Sequence, residues 1–165
     1  GAVGITKQII GMAVSEGDVV LQSDVATVRS GGSNTSIKIT PTTVFSTNWE
    51  FGRLKCFELA LYATTSSKTY TVYFRPGATA DWTDDPTAAE LWIELEYWGH
   101  ASNNFRRITK STGVIDMNGS SAWQSLAVTV APAQAGVVYL RCYYAKTKES
   151  AKDNKFFIDP IPVVT

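Results

Sequence analysis

An all-β domain is what this sequence predicts: two packed antiparallel sheets of about nine or ten strands. Three observations carry that expectation. Short segments alternate apolar and polar residues with a period of two, and Thr35 to Thr40 (T-S-I-K-I-T) is the cleanest. Clusters of Gly, Pro, Asn, Asp and Ser punctuate them. Thr, Ser, Val and aromatic residues are abundant, which suits a pleated surface. Helix signal is confined to Thr87 to Glu90, enough for one turn.

Taken in order, Ala2 to Val14 is strand-prone and ends at Ser15-Glu16-Gly17-Asp18. Val19 to Arg29 alternates and stops at Ser30-Gly31-Gly32-Ser33-Asn34. Thr35 to Thr40 is closed by Pro41, and Leu54 to Ala63 follows. Tyr70 to Phe74 ends at Arg75-Pro76-Gly77, before a polar loop holding Asp81, Asp84, Asp85 and Pro86. Leu91 to Trp98 is the most aromatic strand, and a loop from Gly99 to Asn104 joins it to Phe105 to Lys110. Asn118-Gly119 is the strongest hairpin signal, because both residues tolerate the left-handed backbone of a tight turn. Trp123 to Val130 stops before Pro132, and Val137 to Tyr144 runs into the charged stretch Lys146 to Lys155. Phe156 to Val164 contains Pro160 and Pro162, which suit a sheet margin because proline cannot donate to a ladder. No composition break or repeat divides the chain, so residues 15–165 read as one sandwich preceded by a strand-prone arm at 1–14.

A chain of 165 residues buries roughly 70% of its unfolded surface, so its core needs no metal or disulfide. Charged residues make up 18%, against roughly 25% for an average soluble domain. Net charge is zero, which argues against a nucleic-acid partner. No cationic amphipathic helix and no apolar run of spanning length points to a membrane. The chain starts at Gly1 without Met, compatible with a removed initiator, a cleaved leader or a fragment. Cys56 and Cys142 both lie in apolar runs; an inter-sheet disulfide and two buried thiols fit equally well.

Alternation also divides each strand into a core side and an outer side. In the strand around Trp92, the residues Leu91, Ile93, Leu95 and Tyr97 form the core side, leaving Trp92, Glu94, Glu96 and Trp98 outside. The same split leaves Tyr73 and Arg75 outside on one strand and Tyr139, Arg141 and Tyr143 outside on another. If these strands share a sheet, its outer face carries arginines opposite glutamates with aromatic rings around them. Such a face is either a second packing layer, covered by a loop, or a contact surface. Tyr, Trp and Arg are enriched at interface cores, and flat rings also stack on sugars.

Catalysis fits poorly. Glu94 and Glu96 point the same way, as paired glycosidase carboxylates must. Jelly-roll glucanases resemble this in placing acids closely on one strand, but their third acid is missing, since Tyr97, Trp98 and Gly99 follow Glu96. Neighbouring arginines would hold both glutamates ionised, the wrong state for a general acid. His100 is the only histidine, so neither a Ser-His-Asp arrangement nor a zinc cluster is expected, and no cofactor is called for. Asp81, Asp84 and Asp85 read as turn formers, although a structural calcium is compatible with the composition. Asn34-Thr35-Ser36 and Asn118-Gly119-Ser120 are formal glycosylation sequons.

A family pattern runs from residue 35 to residue 164. The run Ser36-Ile37-Lys38-Ile39-Thr40, then Lys68 to Phe74, Trp123 to Val128, Val138-Tyr139-Leu140 and Phe156-Phe157-Ile158-Asp159 resembles jelly-roll carbohydrate-binding modules. The stretch Trp123 to Gly136 and the closing F-F-I-D-P-I-P-V also resemble jelly-roll domains of phage and virion surface or fibre proteins. Either resemblance implies a two-sheet jelly-roll β-sandwich in an extracellular or virion-surface setting. The first implies a glycan partner, and the second implies copies of itself or other surface proteins.

The leading expectation is a structural subunit that assembles into a filament, fibre or virion surface. Its arm (Val3, Ile5, Ile9, Ile10, Met12, Val14) would add as a strand to a neighbour. The alternative is a carbohydrate-binding module whose rings are Trp92, Trp98, Tyr73 and Tyr143. A glycoside hydrolase using Glu94 and Glu96 is the remote third.

Overall fold

A computed structural model describes residues 19–41, 54–77, 89–111, 115–116, 122–146 and 155–165. The arm at 1–14, the aspartates at 81–85 and the Asn118-Gly119 hairpin lie outside them; of the helical turn expected over Thr87 to Glu90, residues 87–88 also lie outside and residues 89–90 are instead the start of a strand. The described residues hold eleven strands: β1 (Val19–Asp24), β2 (Ser36–Pro41), β3 (Leu54–Ala63), β4 (Lys68–Pro76), β5 (Ala89–Trp98), β6 (Arg106–Lys110), β7 (Ile115–Asp116), β8 (Gln124–Val130), β9 (Gly136–Lys146), β10 (Phe156–Ile158) and β11 (Val163–Val164).

They form two antiparallel sheets. In the first sheet β1 pairs with β2, β2 with β10, and β10 with β4, while β8 and β11 also pair with β4. In the second the order is β3-β9-β5-β6, and the short β7 also pairs with β5. The sandwich is the architecture that the alternation predicts. Each sheet turns its apolar side inward. Ile37, Ile39, Tyr70, Val72, Phe74, Leu126, Val128, Phe156 and Ile158 come from the first, and meet Phe57, Leu59, Leu91, Ile93, Leu95, Val138 and Leu140 from the second. Burying a Leu, Ile or Phe side chain contributes about 1.5–3 kcal/mol, so this layer dominates stability.

Two strand ends differ from expectation for local reasons. β1 stops at Asp24 rather than Arg29. The Asp24 carboxylate accepts the backbone N–H of Ala26 at 3.0 Å and of Thr27 at 2.6 Å, and so turns the chain out of the ladder. The closing segment splits into β10 and β11. Asp159 donates its N–H to the Tyr73 carbonyl (3.0 Å) and accepts the Ile161 N–H (3.3 Å) on its carboxylate, and Pro160 between them has no N–H to give. Both pieces still pair with β4, β10 at Phe74–Pro76 and β11 at Tyr70–Thr71.

Candidate functional site

The outer face of the second sheet is laid out in rows by strand register. Lys55, Tyr143 and Trp92 form one row across β3, β9 and β5. The next holds Glu58, Arg141, Glu94 and Lys110, and the next Ala60, Tyr139, Glu96 and Ile108. Beyond them Tyr62 faces Val137, and Trp98 faces Arg106. Seven of the nine residues that sequence alternation selects therefore share this face: Trp92, Glu94, Glu96, Trp98, Tyr139, Arg141 and Tyr143.

Tyr73 and Arg75 do not. They sit on β4, which belongs to the other sheet. Alternation gives the side of a strand but not the sheet that strand joins, so the condition that all three strands share one sheet is not met. Tyr73 is instead covered by Arg29, whose guanidinium carbon is 3.8 Å from the ring centroid. Arg29 Nε in turn donates to the nearly buried Asp159 at 2.9 Å. That cluster fastens the loop after β1 onto the outside of the first sheet.

Charge on the second sheet's face is neutralised in place. Arg141 donates to Glu58 through Nε and to Glu96 Oε1 through Nη1 at 3.1 Å. Arg106 Nε donates to Glu96 Oε2 at 3.0 Å, and its Nη2 reaches the Val137 carbonyl at 3.0 Å. Burial by itself would raise the Glu96 pKa, but the hydrogen bonds and charges of Arg141 and Arg106 outweigh it and hold the carboxyl below its usual range. Arg141 is pulled down by burial and pushed further up by Glu58 and Glu96, so it stays charged. A carboxylate held ionised by two guanidiniums is unsuited to the general-acid half of a glycosidase pair.

The rings fall into two groups. Trp92 and Tyr143 stack on each other with centroids 5.8 Å apart, Lys110 Nζ lies 4.5 Å from the Trp92 centroid, and the indole N–H donates to Glu94 at 2.8 Å. Trp92, Glu94 and Tyr143 are all buried, at 7%, 8% and 9% exposure. This end is a packed layer, the bland alternative for these residues. The other end is open. Trp98 and Tyr139 are half-buried, and Tyr62 is 74% exposed. Val137 and Ile108 are exposed beside them.

Gly136 helps set the Trp98 ring: its φ is +156°, and a Cβ there would stand 2.9 Å from the indole nitrogen. Gln134, in the turn between β8 and β9, donates to the carbonyls of His100 (2.6 Å) and Asn103 (3.2 Å), which anchors the loop that follows Trp98. His100 itself is exposed in that loop.

Sequence reasoning missed Tyr62, Arg106 and Val137. Tyr62 was visible in principle, since Leu59, Leu61 and Ala63 take the inner side of β3 and leave Glu58, Ala60 and Tyr62 outside. Arg106 was masked by Arg107, because two consecutive arginines give no sign of which one faces the rings. Among the described residues, no three of His, Cys, Asp and Glu converge as metal ligands would, and no helix is long and apolar enough to cross a membrane.

No protein-family model matches the sequence, and no curated protein matches it at the sequence level. Among solved structures, the chain is similar to the CBM22-1–GH10 modules of Clostridium thermocellum endo-1,4-β-D-xylanase 10B complexed with xylohexaose, with a TM-score of 0.54 and 11% identity. That match covers 90% of this chain and 24% of the xylanase chain. It is also similar to the CBM22-1 xylan-binding domain of Paenibacillus barcinonensis Xyn10C, with a TM-score of 0.51 and 12% identity, covering 90% of this chain and 81% of that one. A third similarity is to the enzymatically active domain of tailspike protein 4 from bacteriophage CBA120, with a TM-score of 0.53 and 11% identity. It covers 88% of this chain and 17% of the tailspike chain. At these identities the likeness is one of fold, a two-sheet jelly-roll β-sandwich of the carbohydrate-binding-module type, as the sequence resemblance implies.

Proposed function

We propose that this domain is a non-catalytic carbohydrate-binding module, acting outside the cell, whose contact surface is the open end of the second sheet. The observation that carries the reading is the half-open band of Tyr62, Tyr139 and Trp98, with Val137 and Ile108 beside it, next to a charge network that is already satisfied. Flat rings on a rigid sheet lose little entropy on stacking against a pyranose. Arg106 and Arg141 are already paired with Glu58 and Glu96, so beside the open rings the reading favours a neutral glycan. The fold shared with a xylan-binding domain supports the same reading. The ligand rings differ from the set expected from sequence: Trp98 stays, Tyr62 and Tyr139 join it, and Trp92, Tyr143 and Tyr73 leave it.

Affinity electrophoresis through gels containing soluble neutral polysaccharides tests this. The expected result is retardation by at least one of them, lost in Trp98→Ala and in Tyr62→Ala and kept in a Tyr73→Ala control. Equal mobility in every gel, or retardation indifferent to Trp98 and Tyr62, would remove the reading.

A second reading keeps the structural subunit of a filament or virion surface, supported by the fold shared with part of a tailspike protein. Its arm residues lie outside the described ones. Size-exclusion chromatography with light scattering separates the two: concentration-dependent growth beyond 18 kDa supports assembly, and a monodisperse monomer opposes it.

A further inference from the structure

The sequence left open whether Cys56 and Cys142 would bridge the two sheets. They do not lie in different sheets: Cys56 is on β3 and Cys142 on β9, which pair directly. We propose that these two residues form a cross-strand disulfide, closed while the chain folds in an oxidising compartment and then sealed inside the sandwich.

The geometry comes from a β-bulge. Lys55 faces Tyr143 and Phe57 faces Cys142, so Cys56 is the extra residue on β3. Regular alternation would send Cys56 and Phe57 to opposite sides. The bulge turns both inward instead, at 0% and 1% exposure, and the single β9 residue they oppose is Cys142, also 0% exposed. Residues opposed across an antiparallel pair have Cα atoms about 4.5–5.5 Å apart, within the span of about 4.4–6.8 Å that a disulfide bridges. In the structure both sulfurs are thiols, and the Cys56 side chain hydrogen-bonds that of Cys142. The two buried thiols lie on the inner side of the sheet, away from the glycan platform, and among the described residues they belong to no cluster of three metal-ligating side chains.

The chemistry balances with a small-molecule disulfide such as oxidised glutathione as the oxidant. One protein thiolate attacks a glutathione sulfur, the S–S bond breaks, and one glutathione thiolate leaves. The second protein thiolate attacks the protein sulfur of the mixed disulfide and expels the other glutathione thiolate. The two thiol protons end on the two departing glutathiones, so the cysteines are oxidised and the glutathione disulfide is reduced. Burial, and then the neighbouring Cys56, push the Cys142 thiol well above its ordinary range, which makes it a poor nucleophile once packed. Both cysteines are 0% exposed once packed, out of reach of glutathione, so closure belongs to the folding chain, before the two sheets meet.

The test is refolding from urea and reductant into glutathione buffer, either fully reduced or containing the oxidised form. Samples are quenched in acid, alkylated with N-ethylmaleimide in denaturant, and weighed intact. Oxidative refolding should give a chain two hydrogens lighter that takes up no maleimide. Its thermal midpoint should exceed that of the reduced chain by on the order of 10 °C, because the crosslink closes a loop of about half the chain. In Cys56→Ala/Cys142→Ala the two refolding conditions should give the same midpoint. Two maleimides or a retained glutathione on oxidatively refolded protein would overturn the proposal. So would failure to regain β-sheet circular dichroism in oxidant alone, or a closed bond that lowers the midpoint.

Discussion

The guanidinium carbon of Arg106 sits 4.4 Å from the centroid of Trp98, and the same side chain reaches past it to the Val137 carbonyl. An edge strand, β6, thus holds down the ring of an inner strand and ties it to a third. Arg106 stands as both buttress and partial cover for the platform.

Replacing Arg106 with Ala should therefore loosen Trp98 more than it unfolds the protein. The expected cost is about 1–2 kcal/mol in urea denaturation, from the lost cation–π contact and the hydrogen bonds to Glu96. Acrylamide should quench tryptophan emission more strongly than in the parent. Unchanged quenching would place the constraint on Trp98 elsewhere.

Acid should act through Glu96. Its folded pKa lies below the unfolded one, so its contribution is complete above the ordinary carboxylate range and is lost as pH falls through the depressed folded value. Glu96→Gln should lower the urea midpoint at pH 7 and flatten its dependence on pH between 7 and 3. Parallel curves for the two proteins would contradict this.

Gly136→Ala should damage the platform from below. The added methyl would stand 2.9 Å from the Trp98 indole nitrogen, and the φ of +156° is one that L side chains rarely adopt. A loss of about 1–3 kcal/mol is expected, with a changed near-ultraviolet circular dichroism spectrum and weaker polysaccharide retention.

On the opposite sheet, Arg29→Ala strips the ion partner from a carboxylate that is almost fully buried, leaving it the backbone N–H groups of Ser33 and Ile161. The expected loss is about 2–4 kcal/mol in urea denaturation. Polysaccharide retention should be unchanged in whatever fraction stays folded, because the Arg29–Asp159–Tyr73 cluster faces away from the rings.

What the sequence made legible was the side on which each residue falls. Leu91 and Trp92 part as the period of two requires, as do Leu140 and Arg141, and the sandwich follows from such splits. Sheet membership was not legible: β4 and β5 have the same pattern yet lie in different layers, because long-range pairing depends on every other strand. Depth on the outer face was hidden as well. Trp92 and Trp98 occupy equivalent positions, each one pleat repeat from a glutamate (Glu94 and Glu96 respectively), yet only Trp98 stays half open. The bulge at Cys56 breaks the period locally, and no turn residue or proline announces it.

The place of β10 between β2 and β4 has a consequence for biosynthesis. Residues 36–41 and 68–76 leave the ribosome early, but the segment that joins them, Phe156–Ile158, is translated far later. Until then one layer exists as two unconnected halves with sticky, unsatisfied margins. The other layer is no further ahead, because its β3 and β5 are joined through β9, so both layers close only once residues 136–158 have been made.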